Sequence, residues 1–238
     1  MSQPKIETCF SPSLLHLYDI KNSIVVIIDI FRATSTITTA LDNGAISVIP
    51  TDSVSHCIEL GKQIHNSLTA GERDGKIADG LQHGNSPSEF TKELIENKTL
   101  ILTTTNGTRL LHQCKEANEI IIGSFLNLSA VCKYLIESKK DVLLACASWK
   151  DRFNLEDTLF AGAVYKHVQA HFEMNCDSTR AAHLLYRQAE PHLYEFIQDS
   201  SHFLRLSKYG LQFDMEYCCQ VDKHNNTIVY KDGKLVKK

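Results

Sequence analysis

The sequence predicts an α/β fold with a largely parallel or mixed β-sheet. Six short runs of β-forming residues recur, and nearly all of them are apolar on both faces, which is typical of strands that are covered on both sides. Helical patterns occupy the stretches between several of these runs, and such alternation is typical of α/β sheets. From residue 214 onward apolar and polar residues alternate, and the segment contains the turn signals HNN and KDGK. This pattern predicts terminal hairpins.

The predicted elements follow from these patterns in chain order. The strands cover residues 23–29, 45–50, 66–71, 99–105, 119–124 and 141–148. The helices cover about 33–43, 53–65, 87–97, 107–117, 126–138 and 156–172, with two or three more between 178 and 208. The helix at 87–97 begins on Ser86-Pro87-Ser88-Glu89, where a capping serine, a proline at the first helical position and a capping-box glutamate follow one another.

Length and composition set the broad class of the protein. The 238 residues are enough for a large core, and we expect one domain over residues 1–238 with its only plausible subdomain boundary near 174–178. A hydrophobic content of 43% and a net charge of −3 are average for soluble proteins and predict no basic surface for nucleic acid. Without an export signal or an apolar run of about 18 residues, a cytoplasmic protein that does not span a membrane is expected. Whether the protein forms a homo-oligomer stays an open question.

Polar clusters follow nearly every predicted strand at its carboxyl end. Asp29, Arg32 and the hydroxyls of residues 34–36 follow the first strand, and Glu72 with Arg73 follows the third. The later exits read TTTNGTR, GSFLN and ASWKDRFNLEDT, and the loop QHGNSPSEF adds two more polar residues. Because ligands of open α/β sheets bind beyond the carboxyl ends of strands, these exits predict one pocket.

The composition of these clusters points to metal-assisted phosphoryl chemistry. Hydroxyls, amides, glycines and arginines suit an oxyanion such as phosphate, and neighbouring carboxylates suit Mg²⁺. The candidate substrate-binding residues are Arg32, Thr34, Ser35, Thr36, Arg73, Asn85, Ser86, Asn106, Gly107 and Thr108. The candidate metal ligands are Asp29, Glu72, Glu156 and Asp157, and the catalytic candidates are Asp29 and Arg32.

Structural roles compete with several of these assignments. Ser86 could have no role beyond starting a helix. Glu156 and Asp157 could likewise be purely structural, as acids in the first turn of a helix behind its cap. The Asn106-Gly107 pair is also a turn signal, and an acid in the position of Asp29 can cap a strand end.

Known phosphatase signatures fit poorly. A D-x-D nucleophile motif fails because Phe31 occupies the position of the second acid. The segment CASWKDR at 146–152 matches the cysteine-phosphatase pattern C-x5-R, but it lacks the preceding histidine and places bulky Trp149 in the loop. Cys146 is therefore predicted to be a core residue, like most of the eight scattered cysteines. No histidine is predicted as the catalyst, although His202 is kept in view.

Taken in order, the segments DIFRATSTI, AGERDG, GNSPSEF, TTTNGTRLL, GSFLN and FNLEDTLFAGA resemble the 2-phosphosulfolactate phosphatase, or ComB-like, family. The resemblance covers about residues 20 to 170. It implies a three-layer α/β/α fold and a Mg²⁺-dependent enzyme that converts 2-phosphosulfolactate, a small phosphorylated acid, to 3-sulfolactate and phosphate, a step of coenzyme M biosynthesis.

The family's motif positions fall on residues already singled out. They are Asp29, Arg32, Thr34 to Thr36, Glu72, Arg73, Asn85 to Pro87, Thr105 to Thr108, Glu156 and Asp157. One departure is the segment Cys146-Ala147-Ser148-Trp149, where the family pattern leads us to expect a small Cys-Ala-Gly turn. This departure bears on the exact substrate more than on the reaction.

Two questions stay open at this point. Asp29 could bind the metal or attack phosphorus itself. The protein could also be a non-catalytic anion-binding or regulatory protein on the same fold, although the retained acids favour an enzyme.

The number of arginines in the strand exits predicts a second anion on the substrate. One phosphate needs about one arginine, whereas the exits contain Arg32, Arg73 and Arg109.

Overall fold

A computed structural model describes residues 3–73 and 75–238. Its strands are β1 (Ile6–Cys9), β2 (Ile24–Ile28), β3 (Ser47–Thr51), β4 (Ser67–Arg73), β5 (Lys76–Ile77), β6 (Thr99–Thr103), β7 (Glu119–Gly123), β8 (Val142–Cys146), β9 (Ile228–Lys231) and β10 (Lys234–Lys237). The helices are α1 (Ala33–Asp42), α2 (Val54–Gln63), α3 (Lys92–Ile95), α4 (Gly107–Gln113), α5 (Leu128–Ser138), α6 (Leu155–Val168), α7 (Asp177–Ala189), α8 (Leu193–Ile197), α9 (Ser201–Ser207) and α10 (Gln212–Cys218). All six predicted strands are present.

The described strands form one mixed sheet in the order β1-β8-β2-β7-β9-β10-β3-β6-β4-β5. Strands β1, β8, β2 and β7 are parallel to one another, and β3, β6 and β4 form a second parallel block. The hairpin β9–β10 lies between the two blocks and pairs antiparallel with β7 on one side and β3 on the other. The predicted mixed sheet with a C-terminal hairpin is confirmed.

Three successive antiparallel pairings make the two parallel blocks run in opposite directions along the sheet. Strand twist of roughly 20–25° per step accumulates to about 100–125° over the five steps from β2 to β6. A rotation of this size turns the carboxyl ends of the two blocks toward each other. Residues that follow β2, β4, β6 and β8 consequently line one cleft.

Both faces of the sheet are buried, which is why the strands read as continuous apolar runs. In β2, Ile24, Val26 and Ile28 belong to one core, while Val25 and Ile27 belong to the other. Helices α5, α6 and α7 contribute to the first core, and α1 and α4 contribute to the second. The result is the expected three-layer α/β/α arrangement.

Two sequence-based predictions are wrong in detail. Residues 212–218 form helix α10 and not a hairpin strand, because Met215 and Cys218 are spaced for one helix face and both enter the first core. The helix expected at 87–97 is a 3-10 turn at Pro87–Glu89 followed by the single turn α3. Glu89 does not close a capping box there, since its carboxylate binds His83 and the Gly84 N–H.

In the described ranges, no helix combines the length and the apolar character needed to cross a bilayer.

Candidate active site

The candidate active site is the cleft at the meeting point of the two parallel blocks. Its wall includes Asp29 after β2, Glu72 from β4, Thr105 after β6, Trp149 after β8 and His202 from α9. The accessible interior is small, about 50 Å³, which is room for an ion and a few water-sized groups. Four separate strand exits and one C-terminal helix therefore contribute to one site.

Asp29 is buried at the end of β2 and is held by the turn that follows. The Thr34 hydroxyl donates to the Asp29 carbonyl over 2.9 Å and lies 3.2 Å from the Asp29 N–H, which donates to it. Gly107 is packed so closely that a Cβ there would lie 2.7 Å from Oδ2 of Asp29. The pKa of Asp29 is raised to about 7, chiefly by burial; the charge of His202 opposes the shift, and the charges of Glu72 and Glu156 add to it.

Glu156 is fully buried in the first turn of α6, and its carboxylate is hydrogen-bonded to His202. Its Oε1 contacts Nδ1 of the His202 ring, which also lies 3.3 Å from the Asn154 side-chain amide. Its Oε2 has no hydrogen-bond partner in residues 3–73 and 75–238. A buried carboxylate oxygen without a donor is costly and indicates that a ligand belongs there.

Two other predicted metal ligands are already engaged by backbone groups. Asp157 accepts the Ile30 N–H at 2.9 Å and the Ser148 N–H at 3.2 Å, so it ties the exits of β2 and β8 together. Burial raises the pKa of Asp157 well above its usual range, with added repulsion from Glu156 and Asp29.

Glu72 is engaged in a similar way. Its Oε1 accepts both the N–H and the hydroxyl of Thr105, at 3.2 and 2.9 Å, and its Oε2 accepts the Gly75 N–H at 3.0 Å. Like Asp157, Glu72 uses both carboxylate oxygens to hold two strand exits in place.

Among the described residues, the buried oxygens without a hydrogen-bond partner include Oε2 of Glu156 and Oδ1 of Asn85. Asp29 lines the cleft, and among the described residues its carboxylate accepts a hydrogen bond from the Ala33 backbone N–H but none from a side chain. Within the same residues no three His, Cys, Asp or Glu side chains form a ready-made metal cluster. Mg²⁺ commonly takes only one or two protein carboxylates and keeps several waters, so this donor set fits that ion.

Arg32 is joined to an acid that the sequence reading did not single out. Its Nη1 lies 2.6 Å from Oδ2 of Asp214 in α10, and both side chains are less than a tenth exposed. The other Asp214 oxygen accepts the Ser86 hydroxyl at 2.5 Å and the Ser88 hydroxyl at 3.3 Å. Arg32 and Ser86 are thus brought together, but through Asp214.

The predicted hydroxyl cluster is used for local structure. Thr34, Ser35 and Thr36 donate to the backbone carbonyls of Asp29, Ile30 and Asn85, respectively. All three hydroxyl residues are buried. They therefore shape the turn after β2 and position Asp29.

The predicted Thr105–Thr108 turn divides its roles in the same way. The Thr108 hydroxyl donates to the Thr104 carbonyl at 2.8 Å, which fixes the start of α4. Asn106 lies in the cleft wall, and Gly107 packs against Asp29.

Arg73 is not among the residues that line the Asp29 cleft. Its guanidinium donates to the Glu72 carbonyl at 2.6 Å and lies 3.3 Å from the Thr103 hydroxyl. Arg73 lines a neighbouring depression together with Arg109. The additional cations in the Asp29 cleft are Lys150 and Arg205. The spacing of His202 and Arg205, three residues apart in one helix, was the available signal for Arg205.

A sequence profile described as "2-phosphosulpholactate phosphatase" matches residues 9–233. The chain belongs to the 2-phosphosulpholactate phosphatase family. That family is one of phosphoric monoester hydrolases, so the chain is placed in this class of enzyme. The family assignment rests on nearly the whole chain, including the C-terminal helices that supply His202, Arg205 and Asp214.

Several relatives carry the name "Probable 2-phosphosulfolactate phosphatase". The protein from Caldanaerobacter subterraneus subsp. tengcongensis is 40% identical over 218 residues, which is 90% of each chain. The protein from Thermotoga petrophila is 42% identical over 213 residues, 90% of this chain and 91% of the relative. A protein from Clostridium perfringens is 35% identical over 97% of this chain and 95% of its own length.

Cys146 of this family member lies in the first core and is not among the residues that line the cleft. Its thiol is buried in β8, and burial raises its pKa well above the usual range. We expect Cys146→Ser to retain kcat/KM within about threefold of the wild type, because no thiolate attack is lost. Steady-state phosphate release checks this. Cys132→Ser, at a second buried cysteine of the same core, controls for the cost of a buried hydroxyl. A hundredfold loss specific to Cys146→Ser with an intact fold would restore the cysteine-phosphatase hypothesis.

Proposed function

We propose that the protein is a Mg²⁺-dependent phosphatase that converts 2-phosphosulfolactate, or a related 2-phospho-hydroxy acid, to 3-sulfolactate and phosphate. The reaction corresponds to a step of coenzyme M biosynthesis, and we place it in the cytoplasm. The observation that carries the proposal is the buried Oε2 of Glu156, which has no hydrogen-bond partner among the described residues and whose charge acts on Asp29 in the wall of the cleft. The names of the relatives support the choice of substrate.

The acids of the cleft favour a bound cation. The carboxyl groups of Glu72 and Glu156 lie close enough to Asp29 to add to the effect of burial in raising the pKa of Asp29. A protein that only binds an anion would be opposed by this concentration of negative charge. Bound by Asp29 and Glu156, Mg²⁺ would offset charge on the phosphate oxygens and orient the ester. This argues against the alternative of a non-catalytic anion-binding or regulatory protein.

His202 is suited to move the proton of the reaction. With Nδ1 held by Glu156, Nε2 is the ring nitrogen left for the cleft. A neutral ring can accept a proton from an attacking water at Nε2, and an imidazolium can return it to the leaving alkoxide. Glu156 holds the orientation of the ring through Nδ1, as an acid does in a nucleophile–histidine–acid arrangement.

Two further residues, Asp29 and Asn106, are placed to act on the phosphate group. Asp29 lies at the end of β2, where it acts either as a metal ligand or as the nucleophile. Asn106 presents its side chain to the cleft beside Gly107, whose lack of a Cβ allows Asp29 and the start of α4 to approach closely.

The test of this function is phosphate release with and without metal. Protein freed of metal by chelation is expected to release almost no phosphate from 2-phosphosulfolactate, and added Mg²⁺ is expected to restore turnover. Mg²⁺ should also raise the unfolding free energy, by about 2.7 kcal/mol at a hundredfold excess over Kd. Glu156→Gln should abolish that stabilisation, whereas Glu137→Gln, at an exposed acid of α5, should retain it. Full turnover in excess chelator would contradict the metal-dependent mechanism.

A further inference from the structure

The cations of the cleft differ in whether an acid neutralises them. Arg32 is paired with Asp214. Lys150 and Arg205 line the same cleft, and neither forms an ion pair with any acid in the described ranges. A cleft that holds one phosphate therefore still has positive charge available for a second anion.

Trp149 holds both of these cations. The guanidinium carbon of Arg205 lies 4.5 Å from the centre of the Trp149 ring, and the Lys150 ammonium lies 4.9 Å from it. Such contacts are favourable for a cation over an indole face. They also bring two like charges to one ring, which a bound anion would relieve.

Arg205 itself lacks an acceptor. Its Nε is buried and has no hydrogen-bond partner in the part of the chain that the structure describes. Contact with the Trp149 ring positions the guanidinium, and the edge that carries Nε–H has no acceptor at that nitrogen among the described residues. That edge matches the paired oxygens of a carboxylate or a sulfonate.

The position of Arg205 in α9 sets the distance of this group from the reaction. His202 and Arg205 are three residues apart, so they lie on the same helix face with their Cβ atoms about 5–6 Å apart. In a 2-phospho-hydroxy acid the acid groups lie one or two bonds from the carbon that carries the ester. A phosphate beside His202 would therefore place such an acid group within reach of Arg205.

We propose that Arg205 and Lys150, positioned by Trp149, bind the acid group of the substrate that is not transferred. The inference rests on the proposed phosphatase function and assigns its specificity for anionic esters. It replaces the sequence-based assignment of that role to Arg73 and Arg109, because Arg73 binds Glu72 and Thr103 in another depression.

The test uses three esters that differ by one acid group at a time. Isopropyl phosphate carries no acid group besides the phosphate, 2-phospholactate adds a carboxylate, and 2-phosphosulfolactate adds a sulfonate. For each protein the readout is the ratio of kcat/KM for an acidic ester to kcat/KM for isopropyl phosphate. The ratio separates specificity from any general loss of turnover. A loss at the first step identifies the carboxylate as the group bound, and a loss at the second step identifies the sulfonate.

Arg205→Gln is expected to lower this ratio about a hundredfold, mainly through KM. Arg205→Lys keeps the positive charge but loses the planar guanidinium, so it should lower the kcat/KM ratio less. Lys150→Gln should lower the ratio about tenfold. Trp149→Phe should preserve more of the ratio than Trp149→Leu, because only the former retains a ring. Lys208→Gln, which removes an exposed charge at the end of the same helix, should leave the ratio as in the wild type.

Binding of the product gives a readout that does not depend on turnover. Calorimetry should show weaker binding of 3-sulfolactate to Arg205→Gln and Lys150→Gln than to the wild type and Lys208→Gln. Unchanged ratios and unchanged 3-sulfolactate affinity in both variants would overturn this inference and leave the phosphatase function standing. A wild type that binds 3-sulfolactate through Arg205 but hydrolyses none of the esters would overturn the function and keep the inference.

Discussion

Replacing Asp29 with Asn is expected to lower kcat by about 10² or more. The change keeps the shape of the side chain and removes the charge, which either metal binding or attack on phosphorus requires. Asp232→Asn, at an exposed turn residue of the hairpin, should retain wild-type turnover. Steady-state phosphate release at saturating Mg²⁺ measures both variants. A near-wild-type rate for Asp29→Asn would remove Asp29 from the mechanism.

Loss of activity in Asp29→Asn should not be a loss of stability. The pKa of Asp29 is raised from 3.8 to about 7, so the folded protein is destabilised by this group as the pH rises between those values. Asn has no such cost, and we expect its unfolding free energy at pH 8 without metal to equal or exceed that of the wild type. Mass spectrometry of acid-quenched enzyme then distinguishes the two roles of Asp29, because only a nucleophile forms a covalent phosphoryl-enzyme.

Asp214→Asn is expected to lower the unfolding free energy by about 3–5 kcal/mol. Asp214 and Arg32 are buried 2.6 Å apart, so loss of the carboxylate leaves the guanidinium buried without a counter-charge. The same change should lower kcat, because Arg32 and Ser86 are both held through Asp214. Urea unfolding and phosphate release measure the two effects.

The Arg109–Asp151 pair provides a matched control for Asp214→Asn. Its side chains are 49% and 38% exposed and lie 3.4 Å apart. Asp151→Asn should therefore cost less than about 1 kcal/mol. Similar small losses in both variants would show that the Arg32–Asp214 pair is solvated. A double variant, Arg32→Met with Asp214→Leu, should regain stability relative to Asp214→Asn, since it leaves no unpaired charge.

Local sequence signals were sufficient to predict the strands of the sheet and the site residues that directly follow them. The β2 strand and its exit residue Asp29 follow from a run of apolar β-branched residues that ends in an acid, because strand burial and chain direction are local properties. Asn106 at the turn after β6 was found in the same way. The metal role of Glu156 stays a prediction, although its free Oε2 adds support that the sequence could not give.

Contacts between distant parts of the chain could not be predicted from these signals. Asp214 lies 182 residues from Arg32, and nothing near either residue indicates that they pair. Arg73 was grouped with Asp29 because it follows a strand, but one residue along a strand changes the face to which a side chain points. For Glu72, whose oxygens cap the Thr105 turn, the residue type was compatible with both a structural and a metal role.

The position of the β9–β10 hairpin bears on the order in which the protein can fold. During synthesis, a chain that has emerged only to about residue 220 contains the strands of both parallel blocks but not the hairpin that joins them. Until residues 228–237 are available, β7 and β3 would present unpaired edges, which are prone to association with other chains. Because both blocks contribute to the cleft, we expect phosphatase activity only after the β9–β10 hairpin has been synthesised.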